Sequence, residues 1–296
     1  MYKLFKFASV IIPRLPGWCI PVLADVTGLV AFFIANKARK QATSNITHVL
    51  GKDVVGSSAG RRRLRRTVIQ MFQNNARNYL DLFTIPYIAP EKILNLMNVE
   101  GIEHLEQALA LGKGVILFSA HFGPFNYMAQ WISIKGYHMI IPVEHLKDER
   151  TLDLTLKLRN SKGVQFLALG GSAPMRTIIK ALRNNQIVLI TADRAVEGES
   201  VEKLFFGEPA RLPIGPVSLS QRTGAALIGA CGWHTSRTRM GGKFVPLTLE
   251  LTEDERNDTD IVMCALIKRL EKYIKAYPEQ WVMFSPVWIS DFAKTS

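Results

Sequence analysis

The chain has 296 residues, 48% of them hydrophobic, with 37 Lys and Arg against 25 Asp and Glu for a formal charge of +12. That length buries a core without metals or disulfides, and three cysteines with no C-x-x-C pair (Cys19, Cys231, Cys264) exclude a disulfide framework or zinc ribbon. The basic excess calls for an anionic partner: a membrane surface, a nucleic acid or a phosphorylated substrate.

At the N-terminus Lys3 and Lys6 precede an apolar run, but Pro13 and Arg14 interrupt it and no small-residue cleavage site follows. The apolar stretch 15–36 holds Pro21 and Asp25, whereas a spanning helix needs about 20 apolar residues without a charge. Residues 1–36 are therefore expected to lie in a membrane interface rather than cross it, with Lys37, Arg39 and Lys40 on the headgroup side. A buried N-terminal helical pair is the alternative. Residues 51–60, rich in Gly and Ser, read as a flexible connection. Leu64, Val68, Phe72, Ala76, Tyr79 and Phe83 then recur at helical spacing. This helix starts with Arg61, Arg62, Arg63, Arg65 and Arg66, either a solvated face or a contact with anionic lipid. Pro86 and Pro90 end it, which divides the chain into a helical, membrane-interface region at 1–90 and an α/β core at 91–296.

Apolar runs of strand length follow at 115–119, 138–143, 164–169, 187–192 and 225–230, with helical stretches between them, including 149–161 and 174–184. That alternation predicts an α/β fold with a mostly parallel central sheet flanked by helices. The run 244–251 alternates more clearly and is expected as an edge strand, and a last helix is expected at about 259–277.

Chemistry points to Gly114-Val-Ile-Leu-Phe-Ser-Ala-His121-Phe-Gly-Pro124-Phe-Asn126. A buried strand ends at His121, and Gly123-Pro124 opens a helix, Pro being suited to a first turn. Ligands of open α/β sheets bind outside the carboxyl ends of strands, beside helix-start amides. On position alone His121 is equally a base or a residue that only ends the strand. Asp193 and Arg194 end another apolar strand and face the same edge or pair with each other. Gly170-Gly171-Ser172 reads as a tight turn with Ser172 as helix cap rather than a phosphate loop. The histidines show no metal-ligand spacing, and there is no G-x-S-x-G elbow.

The His121–Asn126 segment resembles the H-x4-[D/E] motif of the bacterial lipid A lauroyl/myristoyl and phosphatidylinositol mannoside acyltransferases. Ala192-Asp193-Arg194 with Phe205-Phe206-Gly207-Glu208-Pro209-Ala210-Arg211-Leu212-Pro213 resembles the second signature of that family. Arg222-Thr223-Gly224-Ala225-Ala226 and Tyr277-Pro278-Glu279-Gln280-Trp281 resemble its third and fourth. Val143-Glu144-His145-Leu146 with Arg159-Asn-Ser-Lys-Gly163 is closer to the mannoside branch.

The resemblance implies an αβα acyltransferase fold, monotopic on the cytoplasmic face of the plasma (inner) membrane. It implies direct acyl transfer from acyl-CoA or acyl carrier protein to a hydroxyl of a glycolipid or phospholipid, with no metal or cofactor and an anionic membrane as partner. His121 would remove the hydroxyl proton. Helix-start amides, Arg159 or Arg194 would steady the oxyanion, and Glu144, Arg159, Asp193, Arg194 and Arg211 are candidate substrate-binding residues. One position departs from the motif: the acidic partner of the histidine is Asn126 here. Asn126 would orient the imidazole through its carbonyl oxygen, as in Cys-His-Asn enzymes, or Asp193 or Glu144 would supply the charge. Failing both, the chain is an impaired, lipid-binding relative. Nucleic acid is excluded as partner, because the arginines are not interleaved with aromatics and no helix-turn-helix, RNP or zinc-finger pattern appears.

Overall fold

The computed structural model describes residues 2–145, 148–170, 173–195, 198–247, 252, 254 and 258–292. Among them, the helical N-terminal region consists of α1 (Tyr2–Ile11), α2 (Cys19–Ile34), α3 (Asn36–Leu50) and α4 (Ser58–Thr84). The predicted connection at 51–60 is more ordered than its Gly and Ser content suggested. Lys52–Val55 forms a 3-10 turn, and the Ser57 hydroxyl accepts from the Gly60 N–H to cap α4. Leu64, Val68, Met71 and Phe72 form the buried stripe of α4. Helix α2 packs closely on it because Gly28 has no side chain: a Cβ there would sit 2.4 Å from the Gln73 Cα. No single described helix is long and apolar enough to cross a membrane; α2 and α3 reach that length only as a pair bent by 99°.

The α/β portion begins with α5 (Pro90–Leu96), β1 (Met97–Glu100) and α6 (Ile102–Ala110). Strands β2 (Val115–Ser119), β3 (Met139–Val143), β4 (Gln165–Ala168) and β5 (Ile187–Thr191) alternate with α7 (Phe125–Ile134), α8 (Glu149–Arg159) and α9 (Ala173–Arg183). A hairpin, β6 (Ser200–Phe205) and β7 (Glu208–Pro213), leads to α10 (Gly215–Thr223), β8 (Ala226–His234), β9 (Met240–Pro246), α11 (Thr259–Ala276) and α12 (Ile289–Phe292). The main sheet has seven strands in the order β1-β9-β8-β2-β5-β3-β4, parallel throughout except between β8 and β9. Alternate residues of β2 feed the two faces: Ile116 and Phe118 join the core built with α3, α4, α9, α10 and α11, while Val115 and Leu117 join that of α5, α6 and α7. Three layers result, helix on sheet on helix.

The five strand-length runs form strands where the sequence placed them. The expected edge strand at 244–251 is corrected. The strand runs from Met240 to Pro246 and lies inside the sheet, because β1 pairs beside it with Met97 opposite Met240. Leu249 and Leu251, which carried part of its alternation, lie outside the described residues, as do Leu146, Gly171 and Ser172.

Candidate active site

Strands β2 and β5 are neighbours in register, Ser119 opposite Thr191. Each chain continues two residues past that last pair, one to His121 and the other to Asp193. The ladder itself extends by one bond, from the Ala192 N–H to the Ser119 carbonyl at 2.8 Å. Adjacent parallel strands thus bring the two side chains together at the carboxyl edge of the sheet. His121 Nδ1 lies 2.9 Å from Asp193 Oδ1, and the His121 backbone N–H donates to Asp193 Oδ2 at 2.9 Å. The Trp281 indole N–H donates to the same Oδ2 at 2.7 Å. Asp193 is fully buried while the His121 side chain is 36% exposed. Burial by itself raises a carboxyl pKa. Here the charge on His121, its ring hydrogen bond, the Trp281 indole and the His121 amide outweigh it and hold Asp193 below the ordinary carboxylate range. With Asp193 ionised, the proton of a neutral imidazole sits on Nδ1, and Nε2, which has no protein partner among the described residues, is left with its lone pair.

The closing segment secures this arrangement. The Val282 N–H donates to the His121 carbonyl at 2.9 Å, and the Gly123 N–H donates to the Gln280 carbonyl at 2.8 Å. Phe122 and Trp281 form an antiparallel bridge. Gly123 adopts φ +57°, and a Cβ there would meet the Gly232 carbonyl at 1.9 Å, so the turn after His121 accepts only glycine. The β6–β7 hairpin buttresses Trp281 from behind. Phe205 packs edge-on against it at 6.1 Å, and Trp288, whose indole donates to the Phe205 carbonyl at 2.8 Å, is also edge-on at 6.1 Å. Trp281 belongs to the fourth family-like segment, which gave no hint that its indole N–H bonds to Asp193.

Asn126 does not meet His121. It is the second residue of α7, buried at 3% exposure, and its amide donates to the Asn78 carbonyl of α4 at 3.1 Å. Its carbonyl oxygen has no hydrogen-bond partner among the described residues. Arg194 forms an ion pair with Glu144 at 3.2 Å and donates to the Ser285 hydroxyl at 3.2 Å, flanking the histidine–aspartate pair. The Arg159 guanidinium lies 5.9 Å from the Phe125 ring centroid and 5.1 Å from that of Phe166. Burial pushes its pKa down to about 10, so it is charged at neutral pH. Arg211 stands apart, exposed on the outer face of the hairpin opposite Glu202. The Arg222–Ala226 segment is also remote: Gly224 caps α10, and Ala226 pairs with Val115 at the amino edge of the sheet.

Beside Asn126, α4 buries Asn78 and Asp81 with side-chain atoms that lack partners among the described residues, and both ring nitrogens of His234 lack them there too. Burial raises Asp81 to about 7, although Arg77 opposes the shift. The folded state therefore holds this proton from the ordinary value of 3.8 up to about 7, and stability contributed by the neutral carboxyl is lost as pH rises through that window. Asp81→Asn is expected to flatten the loss. Between about pH 5 and about pH 8 its thermal midpoint should fall less than that of the parent chain, as scanning calorimetry would measure.

The family model described as bacterial lipid A biosynthesis acyltransferase matches residues 4–290 of this chain. A phosphatidylinositol mannoside acyltransferase of Mycobacterium tuberculosis (strain ATCC 25618 / H37Rv) is 30% identical over 268 residues, 89% of this chain and 81% of that protein. A protein of the same name from Mycolicibacterium smegmatis is 30% identical over 221 residues, 74% of this chain and 71% of its own. A match across nearly the whole sequence, with relatives from the mannoside branch, means that the chain belongs to the bacterial lipid A biosynthesis acyltransferase family and is an O-acyltransferase.

Proposed function

We propose that the protein transfers a fatty acyl group from an acyl thioester, acyl-CoA or acyl carrier protein, to a hydroxyl of a membrane glycolipid or phospholipid, with His121 as general base. The observation that carries this is the His121–Asp193 contact at 2.9 Å, which aims a basic Nε2 outward from a buried, ionised carboxylate. The acceptor hydroxyl gives its proton to Nε2 as its oxygen attacks the thioester carbonyl. Collapse of the tetrahedral intermediate expels the thiolate, which takes up that proton. First-turn amides of α7 and the Arg194 guanidinium serve the oxyanion. Arg159 and Glu144 contact substrate, and Arg211 faces the headgroup side of the bound lipid. The protein works on the cytoplasmic face of the inner membrane, held there by α1 and α2, whose outer faces expose Leu4, Phe7, Val26, Phe33 and Ile34.

The impaired-relative reading rested on Asn126 replacing an acid. The Asp193 carboxylate at the imidazole Nδ1 supports an active pair without an acid at residue 126. The test supplies labelled palmitoyl-CoA, and separately palmitoyl-acyl carrier protein, with polar lipids of the host, to the parent protein and to Asn126→Glu. Labelled lipid product from the parent is expected. Asn126→Glu should be no faster, since it buries a second acid beside Asn78 and Asp81. An inert parent rescued by Asn126→Glu would replace the proposal with the impaired reading.

A further inference from the structure

A groove of about 340 Å³ runs along α4, far from His121 in sequence, lined by Arg62, Arg65, Arg66, Ile69, Gln70 and Gln73. These positions recur every three or four residues and so form one stripe of the helix. All three arginines are exposed, and none pairs with a carboxylate among the described residues. Like charges repeated along one stripe repel and weaken a helix, a cost that an anion between them removes.

Helix α2 packs on α4 alongside this stripe. Gln73 donates to the Asp25 carbonyl at 3.2 Å, and Arg65 lies 5.9 Å from the Phe32 ring centroid, so the stripe runs beside α2 between Asp25 and Phe32. Along that length α2 exposes Val26, Leu29 and Val30, and just past it Phe33. At its end Arg39 donates to the Phe32 carbonyl at 3.1 Å, adding another cation beside the same ring. A stripe of three guanidiniums without carboxylate partners among the described residues thus meets, through Arg65, a helix with an exposed apolar face. Guanidinium matches phosphate oxygens in paired, planar geometry, and the apolar face suits acyl chains attached to that phosphate.

We propose that the α4 groove is a binding site for the phosphate of an anionic phospholipid whose acyl chains lie along α2, with none of its lining residues among those of the acyl-transfer site. This rests on the interfacial placement of α1 and α2 proposed above and gives it a defined ligand.

The test titrates full-length protein with phosphatidylcholine vesicles, with and without phosphatidylglycerol, at fixed ionic strength. A triple variant Arg62→Gln, Arg65→Gln, Arg66→Gln is compared with the same three changed to Lys. A control replaces Lys268, Lys272 and Lys275 of α11 with Gln, and melting curves verify that each variant folds. The Gln triple is expected to lose roughly 100-fold in affinity for anionic vesicles. The Lys triple should lose about tenfold, because an ammonium keeps the charge without the fork, and the α11 control should stay within about twofold. A Lys triple that binds like the parent overturns the site and leaves only diffuse attraction. Monomeric short-chain phosphatidylglycerol should displace vesicles at far lower concentration than inorganic phosphate; equal displacement overturns the lipid assignment. Equal binding of the parent to neutral and anionic vesicles overturns the groove alone. No vesicle binding at all, or binding of oligonucleotides instead, overturns the interfacial placement with it.

Discussion

Asp193→Asn is expected to slow acyl transfer by about 10⁴-fold, the size of the corresponding change in serine proteases. The reason lies in how the carboxylate is shared. Oδ2 accepts two N–H donors, the His121 amide and the Trp281 indole, and Oδ1 faces Nδ1. An asparagine has one acceptor oxygen and one NH2 group. If its oxygen satisfies the two donors at the Oδ2 position, its NH2 points at Nδ1. That forces the imidazole proton onto Nε2, and the base is lost. If the amide turns over, its NH2 opposes two N–H groups in a fully buried pocket. Single-turnover transfer, with a melting curve to show the fold intact, measures the effect. A loss below about tenfold would show that Asp193 does not set the tautomer.

His121→Ala is expected to cost about 10²- to 10⁴-fold in transfer, the range for a general base. Two features separate this from a folding defect. The ring is 36% exposed and its backbone is held by bonds on either side, so truncation leaves the strand ends in place. Imidazole added to the assay is therefore expected to restore part of the lost rate. The double variant with Asp193→Asn should also be little slower than His121→Ala alone, because the aspartate acts through the ring. Additive losses would mean that Asp193 serves the substrate directly.

The buried strands were legible because strands covered on both faces read as continuous apolar runs. Strand β1, Met-Asn-Val-Glu, was not: it is four residues long and partly polar. Without it, β9 looked like an edge. The hairpin carries Pro209, Pro213 and several charges, and its turn uses Phe206 and Gly207 at positive φ rather than an Asn-Gly pair, so its strands gave no local signal. Within the site, His121 and the strand-end position of Asp193 followed from sequence. The choice of Asp193 over Glu144 as partner did not, because it depends on which strand lies beside β2. Nor does a one-residue identity show that Asn126 turns toward α4, since that depends on the crossing of two helices.

The strap at residues 280–282 has a consequence for when the enzyme becomes itself. His121 leaves the ribosome before Asp193, which follows with β5, but Gln280, Trp281 and Val282 arrive only after β8, β9 and α11. Until then the pair lacks an indole donor and the backbone bonds that hold the turn after β2. A nascent chain can bury its strands and still lack the finished histidine–aspartate pair. The order of translation thus places the sheet ahead of the bonds that close its carboxyl edge.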